Sequence, residues 1–479
     1  MTATLLNNLH LAIPEIFILS MACIILVVDL FLTDKNRHIT YLLSQLTLII
    51  AFFLTLNLFS AETFYIFSQT FVADPMSSVL KLSVYIATFV TFLYSKDYLI
   101  QRNIFSGEYF VLGLFGVLGM MIMISASSFL TLYLGLELLS LCLYAMVALQ
   151  RDSSVASESA MKYFVLGAIA SGMLLYGMSM LYGATGSLDL QVVSQQLSSV
   201  TDKTILAFGL VFVIVGVAFK LGAVPFHMWV PDVYQGAPTA VTLYIATAPK
   251  IAAFAMLMRL LVGGLLEIHA QWQGILIILA VSSMAIGNIV AIAQTNIKRM
   301  LAYSAISHIG FLMLGVLTGT AEGFSASMFY TITYVLMSMG SFGIVIIMSR
   351  KGFEADKLDD YKGLNQRSPW LAVMMLFIMF SMAGVPPFVG FWAKLSVLKA
   401  VVSVDLLWLA VVAVIFSIIG AFYYLRIIKL MYFDKPVETQ PIECATDLRW
   451  VFSLNAGLIL IIGLMPDSLL ALCKQVVMS

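Results

Sequence analysis

Apolar residues run in stretches of about twenty from one end of the chain to the other. Each stretch is long enough to cross a bilayer, whose hydrocarbon core of about 30 Å takes about 20 helical residues. Fourteen spans can be read, at roughly 11–32, 39–59, 77–94, 108–125, 128–149, 162–182, 205–224, 239–262, 275–293, 300–317, 325–348, 371–398, 406–431 and 450–473. The connections are short, and the longest polar loop is Ser349–Trp370. The pattern predicts an all-α polytopic membrane protein, one integral domain over 1–479. The segment Leu11–Leu32 lacks a basic flank and is too long for a signal peptide, so it reads as a retained first helix.

Loop charge orients the spans. With fourteen spans both termini lie on one side, whose loops hold Lys203, Lys399 and Lys474. The other side holds fourteen basic residues, among them Arg102, Lys298, Arg299 and Arg350. Positive charge marks the cytoplasmic side, so both termini are expected on the non-cytoplasmic side.

Composition narrows the function classes. Charged residues are 10% of the chain and apolar ones 61%, against about 25% charged in soluble domains. A net charge of zero offers nothing to nucleic acid. Four cysteines, Cys23, Cys142, Cys444 and Cys473, form no CxxC pair, which argues against zinc or iron–sulfur ligation. No G-x-G-x-x-G or Walker motif is present, so no bound nucleotide is expected.

Eight basic residues fall inside spans or at their ends. Lys81, Arg259, Arg426 and Lys429 are expected to snorkel or cap helix ends. Lys250 lies mid-span, Lys220 and Lys394 lie beside prolines, and Lys162 opens span six. A lysine at a helix centre costs about 2.5–3.5 kcal/mol on insertion scales, which favours a polar, hydrated interior. The acid that matches them is Glu137, mid-way through span five, while Glu15 and Asp29 are expected to be structural. Burial favours a neutral lysine and a nearby carboxylate favours the ammonium, so movement between Glu137 and Lys220 would load or unload a proton.

Two spans carry breaks. "KLGAVPFHMWVPDVYQGAP" runs from Lys220 to Pro238 and "SMAGVPPFVGFWAKL" from Ser381 to Leu395. Proline removes a helix hydrogen bond. Broken helix at membrane depth is tolerated where it lines an enclosed or watered cavity. In the first stretch Pro225 is the breaker and His227 a relay, while Trp229 and Asp232 are expected only to shape the turn. Glu137 lies 83 positions before Lys220, and His308 lies 86 before Lys394. Spans four to eight (108–262) and nine to thirteen (275–431) therefore read as two five-helix repeats with broken helices 7 and 12. Residues 1–107 supply helices 1–3, and 450–479 the last helix. An odd number of spans makes a tandem copy inverted, the arrangement of many transporters. His308, with Ser304 and Ser307 nearby, is a second candidate relay.

The stretches "FKLGAVPFHMWVPDVYQGAPTAVT", "QTNIKRMLAYSAISHIGF" and "AGVPPFVGFWAKL" resemble the antiporter-like membrane subunits of proton-pumping NADH–quinone oxidoreductase, respiratory complex I. The likeness covers nearly the whole chain. Lysine at 394, and a chain ending just after span fourteen, resemble the shorter members rather than those with glutamate there or a long lateral helix. The fourteen-span length resembles the bacterial proteins, implying a bacterial inner membrane. The resemblance implies proton translocation along a hydrated axis in mid-membrane. It makes Glu137 the pairing acid, Lys220 its partner, Lys250 the connecting lysine, Lys394 the exit-side lysine and Lys162 a bridge, while His227 and His308 match less decisive positions of the family. It also implies that NADH, FMN, iron–sulfur clusters and quinone belong to other membrane-arm or peripheral subunits. A neighbouring antiporter-like subunit and the lipid bilayer are the expected partners. Two other readings share these features: a subunit of a multi-subunit cation/proton antiporter without electron transfer, and a scaffold subunit.

Overall fold

A computed structural model describes residues 9–33, 35–200, 202–436, 442 and 444–478. The chain ends, and with them part of the expectation about their sidedness, lie outside the described residues. The chain enters through α1 (Ile13–Leu30) and α2 (His38–Asn57), then a hairpin of β1 (Phe64–Ile66) and β2 (Phe71–Ala73). There follow α3 (Pro75–Gln101), α4 (Gly107–Ile124), α5 (Phe129–Val147) and α6 (Ser154–Thr185). The first broken segment is α7 (Lys203–Leu221) and α8 (Trp229–Gly236), continued by α9 (Thr239–Ala246) and α10 (Ala248–Leu257). Next come α11 (His269–Ile292), α12 (Ile297–Val316) and α13 (Ala321–Met348). The second broken segment is α14 (Pro369–Ala383) and α15 (Val389–Ser403), followed by α16 (Leu407–Phe433), α17 (Thr446–Leu464) and α18 (Asp467–Met478).

Among the described residues, thirteen helices or helix runs are long and apolar enough to cross a membrane. The fourteenth segment read from sequence is the α14–α15 pair, whose halves of 15 residues are each too short to span alone. The chain is a multi-pass membrane protein. α9, α10, α12 and α13 are almost wholly buried and form the centre. α1, α2, α6 and α16 turn apolar side chains such as Phe53, Met161 and Ile418 outward, as helices facing hydrocarbon do.

Helices pack closely where glycine allows it. A Cβ on Gly119 of α4 would lie 2.7 Å from the Leu139 nitrogen of α5. A Cβ on Gly287 of α11 would lie 2.6 Å from the Ser307 nitrogen of α12. Small residues at such crossings let backbones approach, as is usual between membrane helices.

Several expectations need correcting. Span six begins at Ser154, not 162, because Ser153 caps Ala156, so Lys162 lies two turns inside the helix. Span fourteen ends at Leu464, since Pro466 interrupts it and the amphipathic α18 turns back to pack on α13. Span eight is itself broken at Thr247 (φ −118°, ψ −99°), two residues before Pro249, and it ends in a π-helical turn, Met258–Gly264. Lys81 does not snorkel. It pairs with Glu15 at 2.5 Å, and the two side chains are 5% and 9% exposed. Arg259 does cap a helix end, reaching the Ile124 carbonyl of α4 at 3.0 Å, and it also forks onto Asp74 at 2.7 and 2.9 Å, while Asp74 caps α3 through the Ser77 nitrogen. Arg426 does cap a helix end, reaching the Ile292 carbonyl at 3.2 Å, and Lys429 is exposed beside Asp434.

The Lys81–Glu15 pair ties α1 to α3 in an apolar setting, and a stranded partner is costly there. Lys81→Met alone is expected to destabilise by about 3–5 kcal/mol, whereas Lys81→Met with Glu15→Leu recovers most of the loss. Thermal unfolding of the single and double variants checks this.

Candidate functional site

The two broken segments end in the same way. α7 closes on Gly222 (φ +83°), whose nitrogen donates to the Ala218 and Phe219 carbonyls, with Ala223 also reaching Ala218. α14 closes on Gly384 (φ +88°), whose nitrogen donates to Phe380 and Ser381, with Val385 also reaching Phe380. Left-handed glycine is the usual helix stop. Val224–Pro225 and Pro386–Pro387, both cis, follow the two stops. What remains is the last carbonyl of each half-helix, and an ammonium meets it. Lys250 Nζ donates to the Leu221 carbonyl at 2.8 Å, and Lys394 Nζ to the Ala383 carbonyl at 2.9 Å. A cation at a helix C-terminus is favoured by the helix dipole as well as by the hydrogen bond. Lys250 comes from the neighbouring span and Lys394 from beyond its own break.

The remaining partners of these lysines are hydroxyls and aromatic faces. Lys394 also donates to Ser417 of α16 at 2.9 Å and sits 5.2 Å from the Phe311 ring centre. Lys250 lies 5.8 Å from the ring of Trp229. Trp229 donates to the Phe219 carbonyl at 3.0 Å and stacks on Tyr163 at 4.5 Å. It therefore does more than shape a turn: it serves the same helix end and roofs Lys250. Lys220, 9% exposed, donates to Ser140 of α5 at 3.0 Å.

Glu137 accepts from Ser171 of α6. It makes no ion pair with Lys220 among the described residues, so each member of the expected pair is held by its own serine. Ser140, Ser171 and Lys220 line a small common cavity. Glu137 also lies on the same stripe of α5 as Leu134 (58% exposed) and Leu141 (55%), an outward face of the isolated chain.

His308 sits between two tyrosines, with Nδ1 2.6 Å from the Tyr330 hydroxyl and Nε2 3.1 Å from that of Tyr424. A neutral imidazole donates at one nitrogen and accepts at the other, so the ring links the two hydroxyls. Ser304 joins this network through Tyr424 at 2.5 Å. Ser307 instead packs its backbone against Gly287. α13 bridges from here to the interruption of span eight at Thr247. Its Tyr334 ring lies 5.1 Å from His308, and one turn on, Ser338 donates to the Ala246 carbonyl at the end of α9.

Two candidates stand apart. Lys162 has a side chain 45% exposed and pairs with Glu158 at 2.9 Å and Asp232 at 2.8 Å. Asp232 also takes Arg299 of α12 at 2.7 Å, so it joins α6, α8 and α12 rather than only shaping a turn. His227 is half-buried in the turn after Pro225, and no hydrogen bond links it to Lys220 or Lys250 among the described residues.

Sequence reading missed Lys298, taken above as a loop charge. It is buried in the first turn of α12 and donates to the Ala237 carbonyl at the end of α8, at 2.7 Å. It missed Ser140, Ser171, Ser417, Tyr330 and Tyr424 as well, since a serine or tyrosine in a span has no local signature of what it meets across the bundle. "TAPK" at 247–250 was the overlooked signal: Pro249 puts Lys250 beside a break too. Among the described residues no group of three or more His, Cys, Asp or Glu could hold a metal ion.

Residues 126–420 match the family model described as NADH:quinone oxidoreductase/Mrp antiporter, TM. NADH-quinone oxidoreductase subunit N of Thioalkalivibrio sulfidiphilus is 64% identical over 96% of each chain. The chain belongs to the subunit N family of NADH-quinone oxidoreductase. A chain of respiratory complex I from Thermus thermophilus superposes with a TM-score of 0.82 at 31% identity, over 96% of this chain and 98% of that one. A chain of the Mrp complex from Dietzia superposes at 0.85 with 20% identity, over 98% and 97%, and so shares the fold.

Replacing Lys250 by Met leaves the Leu221 carbonyl without its partner, and replacing Lys394 by Met does the same at Ala383. Each substitution is expected to cost about 1.5–3 kcal/mol, the range for a hydrogen bond to a charged group. Unchanged thermal midpoints in both variants would contradict the capping role.

Proposed function

We propose that the chain is a proton-translocating membrane-arm subunit of NADH–quinone oxidoreductase. Electron transfer from NADH to quinone in other subunits drives it, and those subunits hold the FMN, the iron–sulfur clusters and the quinone. The chain itself carries no redox step. Its contribution to the enzyme is a row of proton-binding groups, Glu137, Lys220, Lys250, His308 and Lys394, across the middle of the membrane. The observation that carries this reading is the pair of ammonium groups seated on broken helix ends at membrane depth. Such groups are costly in hydrocarbon and mark ion or proton paths.

The proposed sequence is electrostatic. When Glu137 moves towards Lys220 it favours the ammonium there, and when it moves away the proton is released towards Lys250. His308 and its two tyrosines pass it on to Lys394. A charge crossing about 100 mV costs about 2.3 kcal/mol, so the passage needs a driver outside this chain. The shared geometry of the two breaks, and of the glycine-packed pairs α4–α5 and α11–α12, supports dividing the chain into inverted repeats over 108–262 and 275–431. The charge bias supports both termini on the non-cytoplasmic side, and the fourteen-span length within the family supports a bacterial inner membrane. The outward face bearing Glu137 supports a neighbouring membrane subunit, an antiporter-like one by the family resemblance.

Native gel electrophoresis of mildly solubilised membranes, stained for NADH dehydrogenase activity, is expected to place this chain in a large active band. A separate inactive band would favour the cation/proton antiporter reading instead. Within the assembled complex, Lys220→Ala is expected to lower proton pumping at a given electron flux. Unchanged pumping would remove Lys220 from the path.

A further inference from the structure

One face of α3 carries buried hydroxyls that the row above does not use. Tyr98, Ser95, Thr91 and Thr88 recur at helical spacing and are all at most 5% exposed. Serine and threonine in a membrane helix ordinarily bond their own helix's carbonyls, and Ser95 and Thr91 do so, at 2.7 Å each. What is unusual is a second partner across the helix interface at each level. Ser95 meets the Tyr109 hydroxyl of α4 at 2.8 Å, and Thr91 meets the Thr247 hydroxyl at 3.5 Å. Thr88 Oγ1 is buried with no hydrogen-bond partner among the described residues.

The outer end of this face is closed by a carboxylate. Glu354, in the loop Ser349–Ser368, accepts from the Tyr98 hydroxyl at 3.0 Å and from the Thr239 hydroxyl, and it pairs with Arg102 at the end of α3. Thr239 joins the two tyrosines: its nitrogen donates to Tyr98 at 3.1 Å, and the next residue's carbonyl accepts from Tyr109 at 3.1 Å. The inner end is Thr247, whose carbonyl accepts from the backbone nitrogen of Lys250 at 2.9 Å. Lys250 lies eleven residues beyond Thr239. At 1.5 Å per residue that is about 16 Å, roughly half of a hydrocarbon core of about 30 Å.

We propose that this face is the intake path from the cytoplasmic side to Lys250, with Glu354 as its proton-loading group. The inference rests on the function proposed above, which makes Lys250 a proton carrier and the loop face cytoplasmic. A proton from bulk water binds the Glu354 carboxylate and loosens its pairing with Arg102. It then passes from the Tyr98 hydroxyl by way of Tyr109, Ser95 and Thr91 to Thr247. Hydroxyl contacts supply the Tyr109–Ser95 and Thr91–Thr247 links, and water molecules carry the proton between Tyr98 and Tyr109, between Ser95 and Thr91, and from Thr247 to Lys250. It ends on the Lys250 amine, which becomes the ammonium seen at the Leu221 carbonyl. Each hydroxyl gives up one proton as it takes another, so no net charge stays on the path.

The test uses the assembled complex in native membranes, with NADH oxidation and proton uptake followed together. Thr91→Val keeps the shape of the side chain and removes its hydroxyl, while Thr91→Ser keeps the hydroxyl. Severalfold slower pumping in Thr91→Val and Glu354→Gln, with Thr91→Ser near wild type, is the expected result. Wild-type pumping in assembled Thr91→Val and Glu354→Gln would overturn the path. Should Glu354→Gln fail to assemble, the contrast between Thr91→Val and Thr91→Ser decides alone. Lys250→Met in the same assay separates the two levels. If it abolishes pumping while the path variants pump normally, only the path is lost. If it too pumps normally, the lysine reading itself fails.

Discussion

A helix that stops inside a membrane leaves carbonyls that neither water nor lipid can meet, and this constraint organises the chain. α7 and α14 both stop at buried residues, Leu221 and Ala383. Glycine in the left-handed region returns two backbone donors to the last turn of each, and an ammonium takes the final carbonyl. Lys250 and Lys394 are thus tolerated in the membrane for the same reason that the helices can end there. Each solves the other's desolvation problem, since a buried charge needs a hydrogen-bond partner as much as a buried carbonyl does.

That arrangement suits a group that must also exchange protons. A neutral amine can still donate one hydrogen bond to the carbonyl, so the cap weakens on deprotonation without vanishing. The Trp229 face beside Lys250, and Ser417 with the Phe311 face beside Lys394, complete the surroundings without a fixed counter-charge. Glu15, Asp74 and Asp232, each paired directly with a basic side chain, lie away from the row and hold helices together. These ion pairs differ from Lys220, Lys250 and Lys394, whose hydrogen-bond partners are neutral carbonyls and hydroxyls.

Much of this was legible in the sequence, for physical reasons. Span number follows from hydropathy, because a bilayer imposes its thickness on every crossing. The breaks follow from Pro225 and Pro386–Pro387, and the candidate lysines from the cost of placing charge there. The interruption at Thr247 escaped notice because α9 and α10 together keep an apolar run of normal length, and only Pro249 signals it. Lys81 and Lys298 were misjudged because position along a span does not reveal a partner: Glu15 is 66 residues from Lys81, and the Ala237 carbonyl 61 from Lys298. The hydroxyl networks around His308 and along α3 depend on helix–helix register, and no periodicity within one helix encodes that.

The central claim is that these groups form one connected row through the middle of the membrane. Its most direct test is a structure of the assembled complex at a resolution that shows ordered water. The account predicts water or hydroxyl contacts joining Lys220 to Lys250, then through Tyr334 and His308 to Lys394. A dry apolar gap between Lys250 and His308 in every state of turnover would contradict it.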